Sequence, residues 1–561
     1  MKIQQRPYTP DSFQALQAQG LPDLLARLLA ARSVSVADWT LQDMPHLHKP
    51  DVLTGCAEMS QLLANAIQQG KHILIIGDYD ADGATATTVA MRGLKLMGAQ
   101  VDFLVPNRFE YGYGLTPEIV ALAARQQPDV ILTVDNGIAS IDGVKAAKAL
   151  GMQVLITDHH LPAEQTPEAD CIVNPNQRGC NFPSKHLAGV GVMFYVLIGL
   201  RAELKQRGLL AEEAVHLGSL LDLVALGTVA DLVKLDANNR ILVRQGLKRI
   251  RQGQACPGIL AILKLAGRNA EQVSAQDLGF YVGPRLNAAG RLDDMTIGIR
   301  CLLAETPQEA MQYAQQLHVL NAERKQIEAE MQWDAMADLT QEFSDQQFTI
   351  SVFQPDWHQG VIGILASRIK ERFHRPVIAF ADAGDGLIKG SGRSIAGLHL
   401  RDALDLVTKL QPDLIIKFGG HAMAAGLSIR EQDFTRFREV FERVVQQLIT
   451  AETLQQILET DGALEVQEMT LQNAEILGHQ VWGQGFPPPV FYDDFEVVQQ
   501  RILGEKHLKL RLQKQGAQFE AIYFQHATLL PAQVTLAYAL QINEFNGARN
   551  LQLQVVHAET A

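Results

Sequence analysis

The sequence predicts an α/β protein built in series: a parallel-sheet domain with helices on both faces, a long connecting helix, a second α/β domain, and a small C-terminal β domain. Three observations predict it. Between Lys71 and His160, short runs rich in Ile and Val alternate with helical stretches, which is how strands buried on both faces read. From residue 308 to 343 the chain is rich in Gln, Glu, Ala and Met and contains neither Gly nor Pro. Beyond residue 461, five short runs with strand character follow one another, a pattern that suits a small barrel or a sandwich. A length of 561 residues accommodates roughly three or four domains at ~100–200 residues each.

Strands are expected at 72–76, 101–105, 130–134 and 154–157, with helices at 84–97, 117–125 and 141–150 between them. The apolar run 187–200, closed by Arg201, is too short to cross a bilayer and reads as a buried helix. After the 308–343 helix, a second α/β pattern begins near Thr349. It holds Gly390-Ser391-Gly392-Arg393-Ser394 and Gly419-Gly420-His421, and a Glu- and Gln-rich helix ends it near Thr460. Strands at 495–502, 507–512, 519–524, 533–541 and 551–556 complete the chain after the break at Pro487-Pro488-Pro489. The expected boundaries are 1–307 for the N-terminal segment and first α/β domain, 308–345 for the connecting helix, 346–460 for the second α/β domain and 461–561 for the β domain.

Composition excludes several classes. The chain is 47% apolar and 20% charged, which excludes a disordered tail or a fibrous protein. Lys and Arg number 49 against 62 Asp and Glu, a net charge of -13. That argues against a histone-like polyanion binder but leaves room for a local basic groove. Five cysteines without a C-x-x-C pair exclude a disulfide framework and a zinc knuckle. Reduced thiols and an N-terminus without an apolar signal core point to a cytoplasmic protein with no membrane partner.

The residues that follow the strands carry chemistry. After the first come Asp78-Tyr79-Asp80-Ala81-Asp82-Gly83, after the third Asp135-Asn136-Gly137, after the fourth Asp158-His159-His160. Gly227-Thr228-Val229-Ala230-Asp231 follows the apolar stretch 220–226. In parallel α/β sheets ligands sit at the carboxyl ends of the strands. Carboxylates gathered there repel one another unless cations join them. Mixed Asp/His ligation suits Mn2+ or Mg2+, and a pair of such ions about 3.5–4 Å apart clamps a phosphate and activates a water.

These motifs, in this order, resemble the DHH phosphoesterase superfamily, named for the triplet seen here as Asp158-His159-His160, and most of all its RecJ-type single-strand-specific exonucleases. Gly419-Gly420-His421 resembles the mark of the associated DHHA1 domain. The resemblance covers the chain from about Arg6 to its last strands. It implies a DHH catalytic domain, a DHHA1 domain and an OB-like C-terminal barrel. It implies that Asp80, Asp82, Asp135, His159 and Asp231 hold two divalent cations, Mn2+ or Mg2+, with Asp135 between them. Asp78 fits either a ligand or a group just behind the ligands. His160, Asp135 and Asp158 are the catalytic candidates. His160 would face the scissile phosphate as an imidazolium, or else hold Asp158 or His159 in place.

The substrate implied is single-stranded DNA with a 5′ end, degraded 5′→3′ to 5′-mononucleotides in recombination and repair, alongside a single-strand-binding protein and a helicase. The rival expectations are an inactive DNA-binding scaffold and a phosphodiesterase for short oligonucleotides. Arg108 follows the second strand and suits a phosphate, and Tyr113 suits a base. Ser391 and Arg393 combine a hydroxyl and a guanidinium, and the resemblance places them with Arg108 in a 5′-phosphate pocket. Gly419, Gly420 and His421, read as lying between a strand and a helix, offer amides to a phosphate. Arg285, in what reads as a Gly-containing loop with Arg291, is a candidate for guiding the strand. His507, Lys509 and Arg511 alternate with three leucines, which puts the basic groups on one face of a strand. His358 and Arg368 carry no assigned role.

Overall fold

The structure is a computed structural model, and it describes residues 1–107, 111, 114–211, 215–545 and 547–559. The chain forms two compact units, residues 5–318 with 459–561, and residues 1–4 with 319–458.

The first unit holds a five-stranded sheet in the order Gln100–Leu104, His72–Gly77, Val130–Val134, Gln153–Thr157, Cys171–Val173. Every pair is parallel. Val130–Val134 is buried throughout, because helices cover both faces. On one face Leu74, Ile76, Ile131, Val154 and Ile156 pack against Leu115, Ile119 and Val144. The helix expected at 187–200 runs from Gly189 to Gln206 and packs on the helices Cys56–Gln68 and Ala81–Leu96. The strand Cys171–Val173 lies outside the expected set, since three residues carry no legible period.

One expectation is corrected here. Residues 284–291, read as a loop, lie in the helix Gly283–Leu292. Its glycines serve close approach rather than a turn: a Cβ on Gly290 would fall 1.8 Å from the Tyr79 carbonyl oxygen.

The C-terminal strands close into a barrel in the order Phe491–Leu503, His507–Lys514, Ala517–Tyr523, Ala548–Glu559, Gln533–Phe545. Closure comes from one parallel pairing, Ala521 with Leu553 to Tyr523 with Val555. The segment before the barrel is fastened to the N-terminal helices. Arg32 donates to both oxygens of the buried Asp461, at 2.8 and 3.0 Å, and its guanidinium lies 5.0 Å from the Trp482 ring. Trp482 stacks on Phe486, and Arg240 sits 4.4 Å over Phe486.

The second unit holds a mixed five-stranded sheet ordered Lys417–Gly420, Ala424–Arg430, Leu387–Arg393, Val377–Gly384, Ile350–Phe353. Helices Leu400–Leu410 and Phe434–Leu448 bury Leu404, Phe437 and Phe441 in its core. The closing helix of this pattern ends at Leu448 and the strand Ile457–Thr460 follows, rather than helix continuing towards Thr460. The connecting helix spans Pro307–Glu342, 36 residues, or about 54 Å at 1.5 Å per residue. No helix among the described residues is long and apolar enough to cross a membrane.

Candidate metal centre

The parallel strands deliver acidic and imidazole groups to one edge. Asp80 caps the helix Ala81–Leu96, its Oδ1 accepting from the Asp82 and Gly83 amides. That bond turns Asp82 into the helix and into burial. There the first amides of the helix Gly189–Gln206 hold it: Gly189 N–H donates to Oδ2 at 2.6 Å and Val190 N–H to Oδ1 at 2.9 Å. Asp135 follows its strand with φ 62°, a left-handed conformation that non-glycine residues enter at a cost and that clusters at functional sites. Gly189 is needed beside it, because a Cβ there would lie 2.5 Å from the Asp135 Cβ and Oδ1. Asp231 caps the C-terminal end of the helix Leu221–Ala230.

These side chains converge. His159 Nε2 lies 3.1 Å from Asp135 Oδ1, 3.5 Å from Asp231 Oδ2 and 3.9 Å from Asp82 Oδ2. Three overlapping groups each bring three ligand atoms within 4.8 Å of one another: Asp78 with Asp80 and Asp135, Asp82 with His159 and Asp231, and Asp135 with His159 and His160. The structure thus brings together Asp78, Asp80, Asp82, Asp135, His159, His160 and Asp231, all from the sequence reading.

Their electrostatics are those of a crowded acid cluster. Burial, then the charge of Asp231, pushes Asp82 up to about 7. Burial, then Asp80, pushes Asp231 up to about 8. Asp135 is raised well above the carboxylate range by burial and by Asp82, Asp80 and Asp78. Burial and the neighbouring His160 lower His159, so its imidazole is neutral and its lone pair available to a ligand. Nε2 of His159 is buried and makes no well-directed hydrogen bond. A neutral nitrogen ringed by carboxylate oxygens, with no thiolate present, fits a divalent cation with oxygen and nitrogen ligands.

Asp158 and His160 form a distinct pair. Asp158 Oδ1 accepts from the amides of His159 and His160 and from the His160 ring Nδ1, at 2.7, 3.1 and 2.7 Å. Its Oδ2 accepts from Ile138 N–H at 2.9 Å. Burial opposes ionisation of Asp158, but the His160 hydrogen bond and charge outweigh it and lower its pKa. For His160, burial works downward, yet the bond to Asp158 and the charges of Asp158, Asp231 and Asp78 raise it to about 9. These charges favour its imidazolium form.

Several supporting residues escape a reading of the sequence. Asn287 Oδ1 accepts from Ala81 N–H at 2.7 Å. Asn174 and Asn176 donate to the His160 and His159 carbonyls at 2.9 and 2.6 Å. The two Asn follow the short strand Cys171–Val173, so their place after a strand is the available signal.

The chain is 50% identical to the single-stranded-DNA-specific exonuclease RecJ of Dickeya dadantii over 553 residues, covering 96% of each chain. This chain belongs to the RecJ family. The Escherichia coli RecJ is 48% identical, with 98% of each chain covered. Residues 72–228 match the DHH family N-terminal domain, 345–447 the DHHA1 domain and 460–557 the RecJ OB domain. The crystal structure of Thermus thermophilus RecJ in complex with Mn2+ superposes with a TM-score of 0.82 at 29% identity, covering all of this chain and 79% of that one. Its Mg2+ complex gives 0.77 at 28% identity, with 100% and 78% covered.

The remaining RecJ-like candidates are placed as follows. Arg108 and Tyr113 lie outside the described residues. Ser391 and Arg393 sit on the strand Leu387–Arg393. Arg393 Nη1 donates to the Ser391 hydroxyl at 3.2 Å, and burial lowers its pKa. Gly419-Gly420-His421 is corrected: it enters a hairpin between the strands Lys417–Gly420 and Ala424–Arg430, not a helix. Gly420 has φ 144°, and His421 N–H is spent on the Ala424 carbonyl. Arg285 is 6% exposed and donates to the Tyr281 carbonyl at 2.6 Å and to His318 Nδ1. On the barrel, Leu508, Leu510 and Leu512 are buried while Lys509 and Arg511 both pair with Glu520, at 2.9 and 3.1 Å. His507 Nδ1 accepts from Gln525 N–H at 3.1 Å.

Proposed function

We propose that this chain is a metal-dependent, single-strand-specific exonuclease that works 5′→3′ and releases 5′-mononucleotides. The carrying observation is the convergence of Asp78, Asp80, Asp82, Asp135, His159, His160 and Asp231 at the carboxyl edge of the parallel sheet. Nearly full-length similarity to the RecJ exonucleases of Dickeya dadantii and Escherichia coli supports the substrate class. Thermus thermophilus RecJ is solved in complex with Mn2+ and with Mg2+, in keeping with the donor set here.

In this reading Asp80, Asp82, Asp135, His159 and Asp231 would hold two divalent cations, with Asp78 beside them. Bound there, such ions would supply a nucleophilic water and neutralise charge on the scissile phosphate. The chain's own residues do the rest. Helix Gly189–Gln206 aims its first amides at Asp82 and keeps both of its oxygens in place. Asp158 orients the His160 ring through Nδ1. Nε2, the ring nitrogen away from Asp158, would be the one to give a proton to a phosphate oxygen or to the leaving 3′ oxygen. Ser391 and Arg393, Arg108, and Gly419 to His421 are proposed phosphate contacts, Tyr113 a base contact, and His507, Lys509 and Arg511 contacts along the strand. The domain division at 307, 345 and 460, a place in the cytoplasm, and work beside a single-strand-binding protein and a helicase in recombination and repair belong to the same proposal.

Single-stranded DNA labelled at either end, with and without Mn2+, tests it. Metal-dependent release of mononucleotides from the 5′ end is expected. Release from the 3′ end overturns the polarity, and tight binding without cleavage overturns the nuclease.

A further inference from the structure

We propose that Phe280 is a platform on which a base of the single strand stacks close to the metal centre, an inference that rests on the nucleic-acid reading above. The segment Leu278–Val282 is a single π-helical turn that runs straight into the helix Gly283–Leu292. Such turns are uncommon and gather at functional sites. This one is clamped against both sides of the acid cluster. A Cβ on Gly279 would lie 3.3 Å from Val229 Cγ1, and one on Gly283 would lie 3.1 Å from Ala230 Cβ, so the turn rests on the last residues before Asp231. Further along, Asn287 holds the Ala81 amide and Gly290 presses on the Tyr79 carbonyl, so the same segment seats the loop that carries Asp80 and Asp82.

On that clamped turn the side chain of Phe280 is 74% exposed. Among the described residues, no ring packs on it. Leu232, the residue after Asp231, is 67% exposed as well. The turn beneath Phe280 is rigid. The Arg268 guanidinium lies 4.8 Å from the Tyr281 ring and pairs with Asp277 at 2.6 Å, while the Tyr281 carbonyl receives Arg285. A solvent-facing aromatic ring, carried on a turn that packs against the residues just before Asp231, has the chemistry that stacks nucleobases without regard to sequence. It would place the phosphodiester chain by its bases, where the metal ligands place it by its phosphate.

The test uses the full-length protein with Mn2+, oligo(dT) substrates, and a scan of abasic sites moved one nucleotide at a time from the 5′ end. Phe280→Ala is expected to raise KM, and Kd measured in Ca2+, by roughly 5- to 50-fold, as for the loss of one stacked base, with kcat little changed. Phe280→Trp restores both. An abasic site at the stacked position weakens the wild type and leaves Phe280→Ala indifferent. A Phe280→Ala protein that matches the wild type on every substrate overturns the platform, as does a loss that Trp does not rescue and that is equal at every abasic position. If the wild type binds the strand without cleaving it, the nuclease reading falls and Kd still reports the platform. If it binds no strand at all, both fall.

Discussion

At the carboxyl edge of the parallel sheet, Asp82, Asp135 and Asp231 crowd around the single neutral nitrogen of His159. On the barrel, Lys509 and Arg511 share Glu520. The first group is mutually repulsive, and burial and neighbouring charge hold its carboxyl groups well above their usual range. The second is mutually attractive: burial opposes ionisation of Glu520, but the bonds from Lys509 and Arg511 outweigh it and lower its pKa. Charges that destabilise one another are kept only when something else joins them. Charges that already pair give a surface complete in itself, which a polyanion must compete to enter. For the function proposed above, the contrast makes the sheet edge the place for the cations and the barrel a proposed, salt-sensitive contact.

The sharpest way to break this contrast is at Asp135. Asp135→Asn is expected to reduce cleavage to background and to abolish the rise in melting temperature caused by Mn2+. In metal-free protein the same change should raise the melting temperature, since it removes one member of a repulsive cluster. Calorimetry with EDTA and with Mn2+ reads both signs. A metal-free variant less stable than wild type would contradict the cluster's repulsion.

His160 separates binding from chemistry. His160→Gln is expected to lower kcat by about 10²- to 10⁴-fold with Mn2+ binding retained. Asp158→Asn, which disturbs the ring's orientation and the His159 backbone together, should lose roughly 10- to 100-fold in metal affinity or activity. Equal loss of Mn2+ from both variants would make His160 a ligand instead.

The pH dependence follows from the same groups. Asp82 at about 7 and Asp231 at about 8 are raised above the ordinary carboxylate value. Their contribution to stability is full below the unfolded value and is lost as pH rises through 7 to 8. His160, raised to about 9, loses its contribution in the same direction as pH approaches 9. Metal-free protein should therefore melt lower at pH 8.5 than at pH 6, and Mn2+ should flatten or reverse that slope. A metal-free melting temperature that rises with pH would contradict the assignment.

The smallest effects belong to the barrel. Glu520→Gln frees two cations and should tighten single-strand binding a few-fold at low salt. Changing Lys509 and Arg511 together to Ala should flatten the salt dependence of log K by up to about 0.7 for each phosphate that the pair neutralises. Affinities unaffected by either change would remove this strand face from the DNA path.

What the sequence disclosed depended on range. The strand ends were legible because the carboxylates immediately follow short runs of Ile and Val, and a parallel sheet gathers such ends at one edge. Asp80, Asp135 and His159 stand at such ends, whereas Asp231 follows the helix Leu221–Ala230 and joins the set through the family resemblance. The amides of Gly189 and Val190 that hold Asp82 come from 107 and 108 residues away, and the Asn287 bond to Ala81 spans 206. No local pattern announces such partners. The same limit explains the two misread glycine segments. In residues 283–290 glycine permits a helix to touch the Tyr79 carbonyl, and at Gly420 it permits a tight hairpin, whereas read locally the first looked like a loop and the second like the entry to a helix.

The central claim is that the acid cluster is completed by divalent cations and that strand hydrolysis depends on them. The most direct measurement titrates metal-free protein with Mn2+, following bound metal by electron paramagnetic resonance and mononucleotide release from single-stranded DNA in the same samples. The account predicts about two Mn2+ per chain, cleavage that tracks their occupancy, and neither in Asp135→Asn. Full cleavage by metal-free protein, or the absence of tight Mn2+ binding in the wild type, would contradict it.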